Sequence, residues 1–307
     1  MMIGSYATPH AFRTALEARL RNLSLEQGTD LQRLRRQVAF ERLLARLFRE
    51  QDARSAELTS MPWLLKGGYA LELRLPDRSR STVDLDFSVP NPAGFPSLTG
   101  DDETLSATQA VYESLQRSVD HEMGDGFQFV IRRPKVEQTG APQGGFRCSV
   151  EARLAGRVFA SFHLDIGLGD PVLTVPEWIE GSHLLDFADI PPARIALYPL
   201  SQHFAEKIAA YTFPWQGREN TRVKDLVDLV LLIDSGLLEP TALKRALAAT
   251  FASRPAQRIP ANLPSPPLSW QGPFQQMAEE LLLPVVDLDA AYVLVEEYWQ
   301  RHGLGGS

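Results

Sequence analysis

The chain is poor in cysteine, poor in lysine and free of any long apolar run, and each shortage closes off a class of protein. A single cysteine, Cys148, excludes an internal disulfide framework and a zinc site built on a cysteine cluster. No stretch approaches the roughly 20 consecutive apolar residues that a membrane-crossing helix needs. The start, MMIGSYATPHAFRTALEARL, lacks a basic segment followed by an apolar core, so it does not read as a signal peptide, and a cytoplasmic protein is expected. Only five of the 31 basic residues are lysine; the positive side is nearly all arginine and unevenly placed. The net charge of −7 argues against a protein that coats nucleic acid indiscriminately, while leaving room for a local basic groove.

At 307 residues the chain can bury a sizeable core and can form two lobes rather than one. Its most informative stretch is LLKGGYALELRLPDRSRSTVDLDFSV, residues 64–89. Gly67 and Gly68 follow Lys66, an apolar helical segment comes next, and then Arg80, Thr82 and the carboxylates Asp84 and Asp86. In a strand Asp84 and Asp86 point to one face while Val83, Leu85 and Phe87 point to the other. Two carboxylates about 6–7 Å apart on one strand face repel each other unless a cation lies between them. Hard oxygen ligands so placed suit Mg²⁺, which takes one or two carboxylates plus substrate phosphates. Glycine lets backbone N–H groups approach a phosphate, because no Cβ intervenes. Alone, the glycine pair would read as a tight turn; ahead of a D-x-D strand it reads as a phosphate contact. Lys66 is either part of that contact or a surface lysine. The unit as a whole points to phosphoryl or nucleotidyl transfer.

The order of a glycine pair, an apolar helix and R-x-T-x-D-x-D-F resembles the nucleotidyltransferase toxins of the AbiEii/AbiGii group, within the DNA polymerase β-like superfamily. Two later strings add to the resemblance. Ala205, Glu206, Lys207, Ile208 and Ala210 match the family's A-E-K-I-x-A pattern. Arg222, Lys224, Asp225 and Asp228 match its R-x-K-D-x-x-D pattern. The resemblance implies that Lys207 binds nucleotide phosphates and that Asp225 is the essential acidic residue of a helical lobe. Taken alone, Asp225 and Asp228 would read as a surface salt-bridge set with Arg222 and Lys224. The family also places a third carboxylate on a neighbouring strand. Asp165 is the candidate, because Arg157–Ile166 reads as the second strand of a hairpin turning at Ala155-Gly156. Val158, Ala160, Phe162, Leu164 and Ile166 are expected on its apolar face, with His163, read as a packing or hydrogen-bonding residue, and Asp165 opposite. Where the family often has Ser or Thr after the glycine pair this chain has Tyr69, which removes a hydroxyl that could touch phosphate.

Elsewhere the patterns are structural. Helices are expected over residues 10–50, the second from Asp30 to Glu50. Its Arg33, Arg35, Arg36, Arg42, Arg46 and Arg49 read either as a solvated face or as a contact for an RNA backbone. Leu71, Leu73 and Leu75 are core candidates. A helix over Glu103–Glu122 should bury Val111, Leu115 and Val119, and a strand is expected over Phe127–Val136 with a basic cluster of Arg132, Arg133 and Lys135. Residues 170–200 read as loop, broken by five prolines. The stretch Phe251–Pro273 reads as an extended crossover carrying Leu263, Leu268 and Trp270. A last helix over Asp289–His302 is expected to bury Ala290, Val293, Leu294 and Tyr298, with Asp287 as its cap rather than part of a second metal site.

The expected fold is α/β (α+β): a polymerase β-like nucleotidyltransferase lobe with a small mixed sheet and N-terminal helices over residues 1–199, then a helical lobe over 200–307. The resemblance implies a Mg²⁺-dependent enzyme, the toxin of a toxin–antitoxin pair, moving a nucleotide from an NTP to an acceptor hydroxyl. Asp84, Asp86 and Asp165 would hold the metal. Lys66, Gly67, Gly68, Thr82 and Lys207 would bind the nucleotide, and Arg80, Arg222, Lys224 and Asp228 would support them. The 3′ end of tRNA is the acceptor the family suggests and a cognate antitoxin the protein partner, with no membrane involved. A protein or small-molecule acceptor, or a non-catalytic binding module of the same fold, are the alternatives.

Overall fold

The computed structural model describes residues 3–49, 62–76, 78, 80–95, 107–132, 134, 137–138, 141–214, 219–254 and 256–306. The fold is mixed α/β and divides into two compact units. The first comprises residues 1–73, 81–170 and 176–197; the second comprises 74–80, 171–175 and 198–307.

Among the described residues the first unit is built on an eight-stranded mixed sheet. Its strands are β1 (Leu64–Lys66), β2 (Asp84–Val89), β3 (Phe127–Ile131), β4 (Glu137–Gln138), β5 (Gly145–Leu154), β6 (Arg157–Leu168), β7 (Glu177–Glu180) and β8 (Arg194–Leu197). They run in the order β3-β5-β6-β2-β1-β8-β7, with β4 added on β5. β2 lies parallel to β6 and antiparallel to β1, and β1 lies parallel to β8. The buried face carries Leu85, Phe87, Leu164 and Ile166, each with no exposed surface. Residues 170–200 are therefore not simply loop. Pro176 and Pro199 bracket two short strands rather than interrupting them, since proline is tolerated at strand ends.

The β5–β6 hairpin turns at Ala155 and Gly156, both with positive φ (51° and 72°), the backbone a two-residue turn of that twist requires. The pairing slips close to the turn: Ala152 pairs with Ala160, but Arg153 with Val158. Phe159 is the extra residue of this bulge, so it turns into the core while Val158, expected there, is 48% exposed. Cys148 of β5 lies on the buried face, and burial, with the nearby Asp165 charge adding to it, pushes its thiol up to about 12. We expect iodoacetamide at pH 8 to label native Cys148 only as fast as the sheet opens, with labelling becoming rapid in denaturant. Rapid labelling of the native protein would contradict that placement.

Around the sheet lie α1 (Pro9–Gln27), α2 (Leu31–Phe48), α3 (Gly67–Arg74) and α4 (Ala107–Val119). α4 buries Val111, Leu115 and Val119 as its spacing predicts; residues 103–106 of the expected helix lie outside the described residues. α3 buries Tyr69, Ala70 and Leu71, whereas Leu73 and Leu75 are only half-buried. Tyr69 packs edge-on to Phe40, ring centroids 5.0 Å apart, and its hydroxyl bonds to the buried Glu41. Its ring has joined the core.

Four of the six arginines in this stretch are committed to partners within the fold, whereas Arg49 at its end is exposed. Arg33 pairs with Glu72 at 2.7 Å, and Arg35 pairs with Glu17. Arg42 donates to the Pro191 carbonyl, and Arg46 lies buried with both terminal nitrogens 2.8 Å from Asp125. Arg46 also donates to the carbonyls of Arg42 and Phe127, so nearly the whole guanidinium is bonded. Glu50, the expected end of this helix, lies outside the described residues. In the expected strand beyond Ile131, Arg132 pairs with Glu151, while Arg133 and Lys135 lie outside the described residues.

The second unit is helical, with α5 (Leu200–Tyr211), α6 (Val223–Asp234), α7 (Pro240–Ala252), α8 (Gln271–Glu280) and α9 (Leu288–Arg301). α6 buries eight consecutive residues from Asp225 to Leu232, so this helix is covered on all sides. In the proline-rich crossover Leu263 and Trp270 are buried, but Leu268 is exposed. Asp287 caps α9 by accepting from the Ala290 N–H at 3.0 Å. The core stripe of α9 is Leu288, Ala291, Val295 and Trp299. The expected set of Ala290, Val293, Leu294 and Tyr298 is rotated one position off this stripe, because Trp299 is the larger anchor and fixes the helix's rotation.

Candidate active site

Side chains alternate along β2, so with Leu85 and Phe87 in the core Asp84 and Asp86 emerge together on the opposite face. Parallel pairing puts Asp84 beside His163 and Asp86 beside Asp165. Lys66 lies across from Asp86 on the other flank, and Arg147 of β5 across from Asp165. Three carboxylates on two adjacent strands thus share one partly exposed patch of the sheet.

The carboxylates are bridged by basic groups. Arg147 donates to Asp84 Oδ2 at 2.7 Å, and its other terminal nitrogen is 3.2 Å from Asp165 Oδ2. His163 Nδ1 lies 3.1 Å from Asp84 Oδ1. Lys66 Nζ bonds at 2.6 Å to Asp170, which is fully buried just beyond the end of β6. Lys66 is therefore no ordinary surface lysine.

Gly67 opens α3 with φ at +67°, a conformation costly for other residues, and a β-carbon there would overlap the Asp86 carboxylate. Gly68, next to it, is buried in the first turn of α3. Gly67→Ala should thus displace Asp86 as well as strain the backbone. We expect a stability loss of about 1–2 kcal/mol in a urea titration, with transfer activity lost out of proportion to it. Wild-type activity in that variant would refute the close packing of Gly67 on Asp86. Thr82, expected to touch the nucleotide, is buried and donates its hydroxyl hydrogen to the Asp84 carbonyl at 3.1 Å. That bond fixes the entry to β2, two residues before Asp84.

In the second unit, α5 and α6 bring Lys207 to Asp225 and Asp228, with Nζ–O distances of 2.8 Å to each. Arg80 adds a two-pronged bond to Asp228, both distances 3.0 Å, and Arg222 lies 3.6 Å from Asp225. Burial lowers the Lys207 ammonium's proton affinity, but the two carboxylates outweigh it and hold it above the usual lysine range. Burial likewise pushes Asp228 up, yet Lys207 and Arg80 win and hold it far below the usual carboxylate range. Asp225 and Asp228 belong to a buried network, not the surface set their spacing alone suggests. Lys224 is exposed.

A profile of the nucleotidyl transferase AbiEii toxin family, type IV toxin–antitoxin system, matches residues 51–294. The chain belongs to that family. This AbiEii protein is accordingly a nucleotidyltransferase of the toxin class. Its fold is similar to that of MenT4, a nucleotidyltransferase toxin from Mycobacterium tuberculosis, with a TM-score of 0.58 at 16% identity over 94% of this chain and 89% of that one. Among curated proteins none matches it significantly. No helix among the described residues is long and apolar enough to cross a membrane.

Divalent-metal chemistry fits the donor set of this AbiEii chain. Asp84, Asp86 and Asp165 offer hard carboxylate oxygens, and the Arg147 guanidinium between two of them shows that a cation is accommodated there. Among the described residues no three such groups close a metal cage by themselves. Mg²⁺ does not require one, since it draws much of its shell from water and phosphate.

Two residues of this patch escaped the sequence. Asp170 follows Gly-Leu-Gly at a strand end and belongs to no spacing rule; only its place after an apolar strand hinted at it. Arg147 sits in an alternating strand as one arginine among 26, and its importance appears only when β5 is paired with β6.

Proposed function

We propose that the chain transfers a nucleotide from an NTP to an acceptor hydroxyl, with Mg²⁺ held by Asp84, Asp86 and Asp165. The observation that carries this reading is the register that sets Asp86 beside Asp165, with Asp84 two residues along the same face. Bound Mg²⁺ would supply charge neutralisation on the phosphates and polarisation at the reacting phosphorus. Gly67 leaves space for Asp86 and presents backbone close to that carboxylate. Lys66, oriented by the buried Asp170, directs positive charge to the same patch for the phosphates. Asp165 takes the proton of the acceptor hydroxyl, whose oxygen attacks the α-phosphorus in line as pyrophosphate leaves. In the second unit Asp225 is the acidic residue the family motif singles out, and Lys207, Arg80 and Asp228 hold its helix in place, with Arg222 as an outer partner.

We propose the 3′ end of tRNA as the acceptor and an antitoxin protein as the cognate partner; both rest on family resemblance. The α2 arginines lend the RNA reading no support, because Arg33, Arg35, Arg42 and Arg46 are committed to partners within their own unit. The test is incubation of purified protein with each α-labelled NTP and total RNA. Label covalently attached to small RNA, absent with Asp84→Asn, is the expected result. Label found only on protein or on a small molecule would overturn the acceptor, and no transfer to any acceptor would overturn the enzyme reading.

A further inference from the structure

Three carboxylates on one sheet face repel each other whenever no metal is present, so the protein itself must balance them. Among the described residues that bond to Asp84, the basic groups are Arg147 and His163, and Arg147 alone of the two reaches Asp165 as well. Its side chain is 42% exposed and springs from β5, the strand beyond β6, so it reaches across the sheet face rather than being packed into it. Exposed ion pairs of this kind are weak, and a divalent cation displaces them readily. The contrast with Lys66 is sharp, since its partner Asp170 has no exposed surface.

On the strength of the metal-holding role proposed for Asp84, Asp86 and Asp165, we propose that Arg147 is a placeholder cation that becomes a substrate ligand. In the free protein its guanidinium spans Asp84 and Asp165. When the metal takes those carboxylates, the released fork binds phosphate oxygens of the nucleotide. A guanidinium fork fits phosphate and carboxylate oxygens alike, in pairs. It need travel only a few ångströms, because the phosphates arrive on the same metal that displaces it. No bond is made or broken by Arg147, which exchanges one set of anionic oxygens for another.

This predicts two shifts of opposite sign in Arg147→Met. Mn²⁺ binding to the full chain, followed by electron paramagnetic resonance, is expected to tighten roughly three- to tenfold because the competing cation is gone. Binding of a non-hydrolysable NTP analogue in saturating Mn²⁺ is expected to weaken by roughly tenfold. Arg153→Met removes the same charge from the same face of β5 and is expected to change either affinity by less than about twofold. An unchanged or weaker Mn²⁺ affinity in Arg147→Met would overturn the placeholder role. An unchanged analogue affinity would overturn the handover, and equal shifts in Arg153→Met would reduce both to net charge. If wild type bound no Mn²⁺, or Asp84→Asn bound it equally well, the metal-holding reading itself would fall, and this role with it.

Discussion

Asp86→Asn is expected to lower nucleotide transfer by at least about 10²–10³-fold while leaving the fold intact. Asparagine keeps the shape and removes the charge at the carboxylate that lies beside Asp165 and against Gly67. Removing one charge from a crowded acidic patch relieves repulsion, so the melting temperature should stay level or rise slightly. That pairing of lost activity with retained stability separates a functional carboxylate from a structural one. Label transfer from NTP and a thermal melt on the same sample provide the measurement. Transfer within about fivefold of wild type would remove Asp86 from the chemistry.

Asp228→Ala is expected to do the reverse, acting first on stability, by about 3–5 kcal/mol in a urea titration. Asp228 is fully buried, and truncation removes the carboxylate that Arg80 grips with two prongs and one of the two that hold Lys207, in a site from which water is largely excluded. The same network dictates a pH dependence. Asp228 is held below its unfolded value of about 3.9, so its contribution is complete above that value and is lost as pH falls through the depressed one. Lys207 is held above its unfolded value of about 10.4, so its contribution is complete below that value and fades as pH rises through the elevated one. Stability from this cluster should therefore be flat between about pH 5 and 9, and the variant should lose the wild-type dependence at the acid limb. A variant as stable as wild type at pH 7 would contradict the buried pairing.

How much of this was legible depended on how local each cause is. The sharing of one face by Asp84 and Asp86 follows from strand alternation alone, and the Ala155-Gly156 turn and the Asp287 cap follow from adjacent residues. The β2–β6 register is not local, so sequence could nominate Asp165 but not set it beside Asp86. Asp170 is found through Lys66, 104 residues away, and Arg147 through Asp84, 63 residues away, and Asp165 on the neighbouring strand. The arginines of α2 misled for the same reason: a helix sequence shows its charges but not the acidic groups waiting elsewhere. Val158 and Phe159 show a finer limit. One residue inserted into a ladder exchanges the inner and outer faces, and nothing in the apolar alternation announces it. At Tyr69 the sequence shows only a hydroxyl missing beside the glycine pair, and not the Phe40 ring and Glu41 carboxylate that the side chain meets in the core.

The bond of Arg46 to Asp125 joins positions 79 apart in the chain and closes both charges off from water. Losing either partner strands an ion, whereas exchanging both for apolar groups of like volume need not weaken the fold. Descendants of this sequence should consequently drift at these two positions in tandem. A lineage in which one has changed alone should carry a second, compensating replacement at the Phe127 or Arg42 carbonyl end of the same guanidinium.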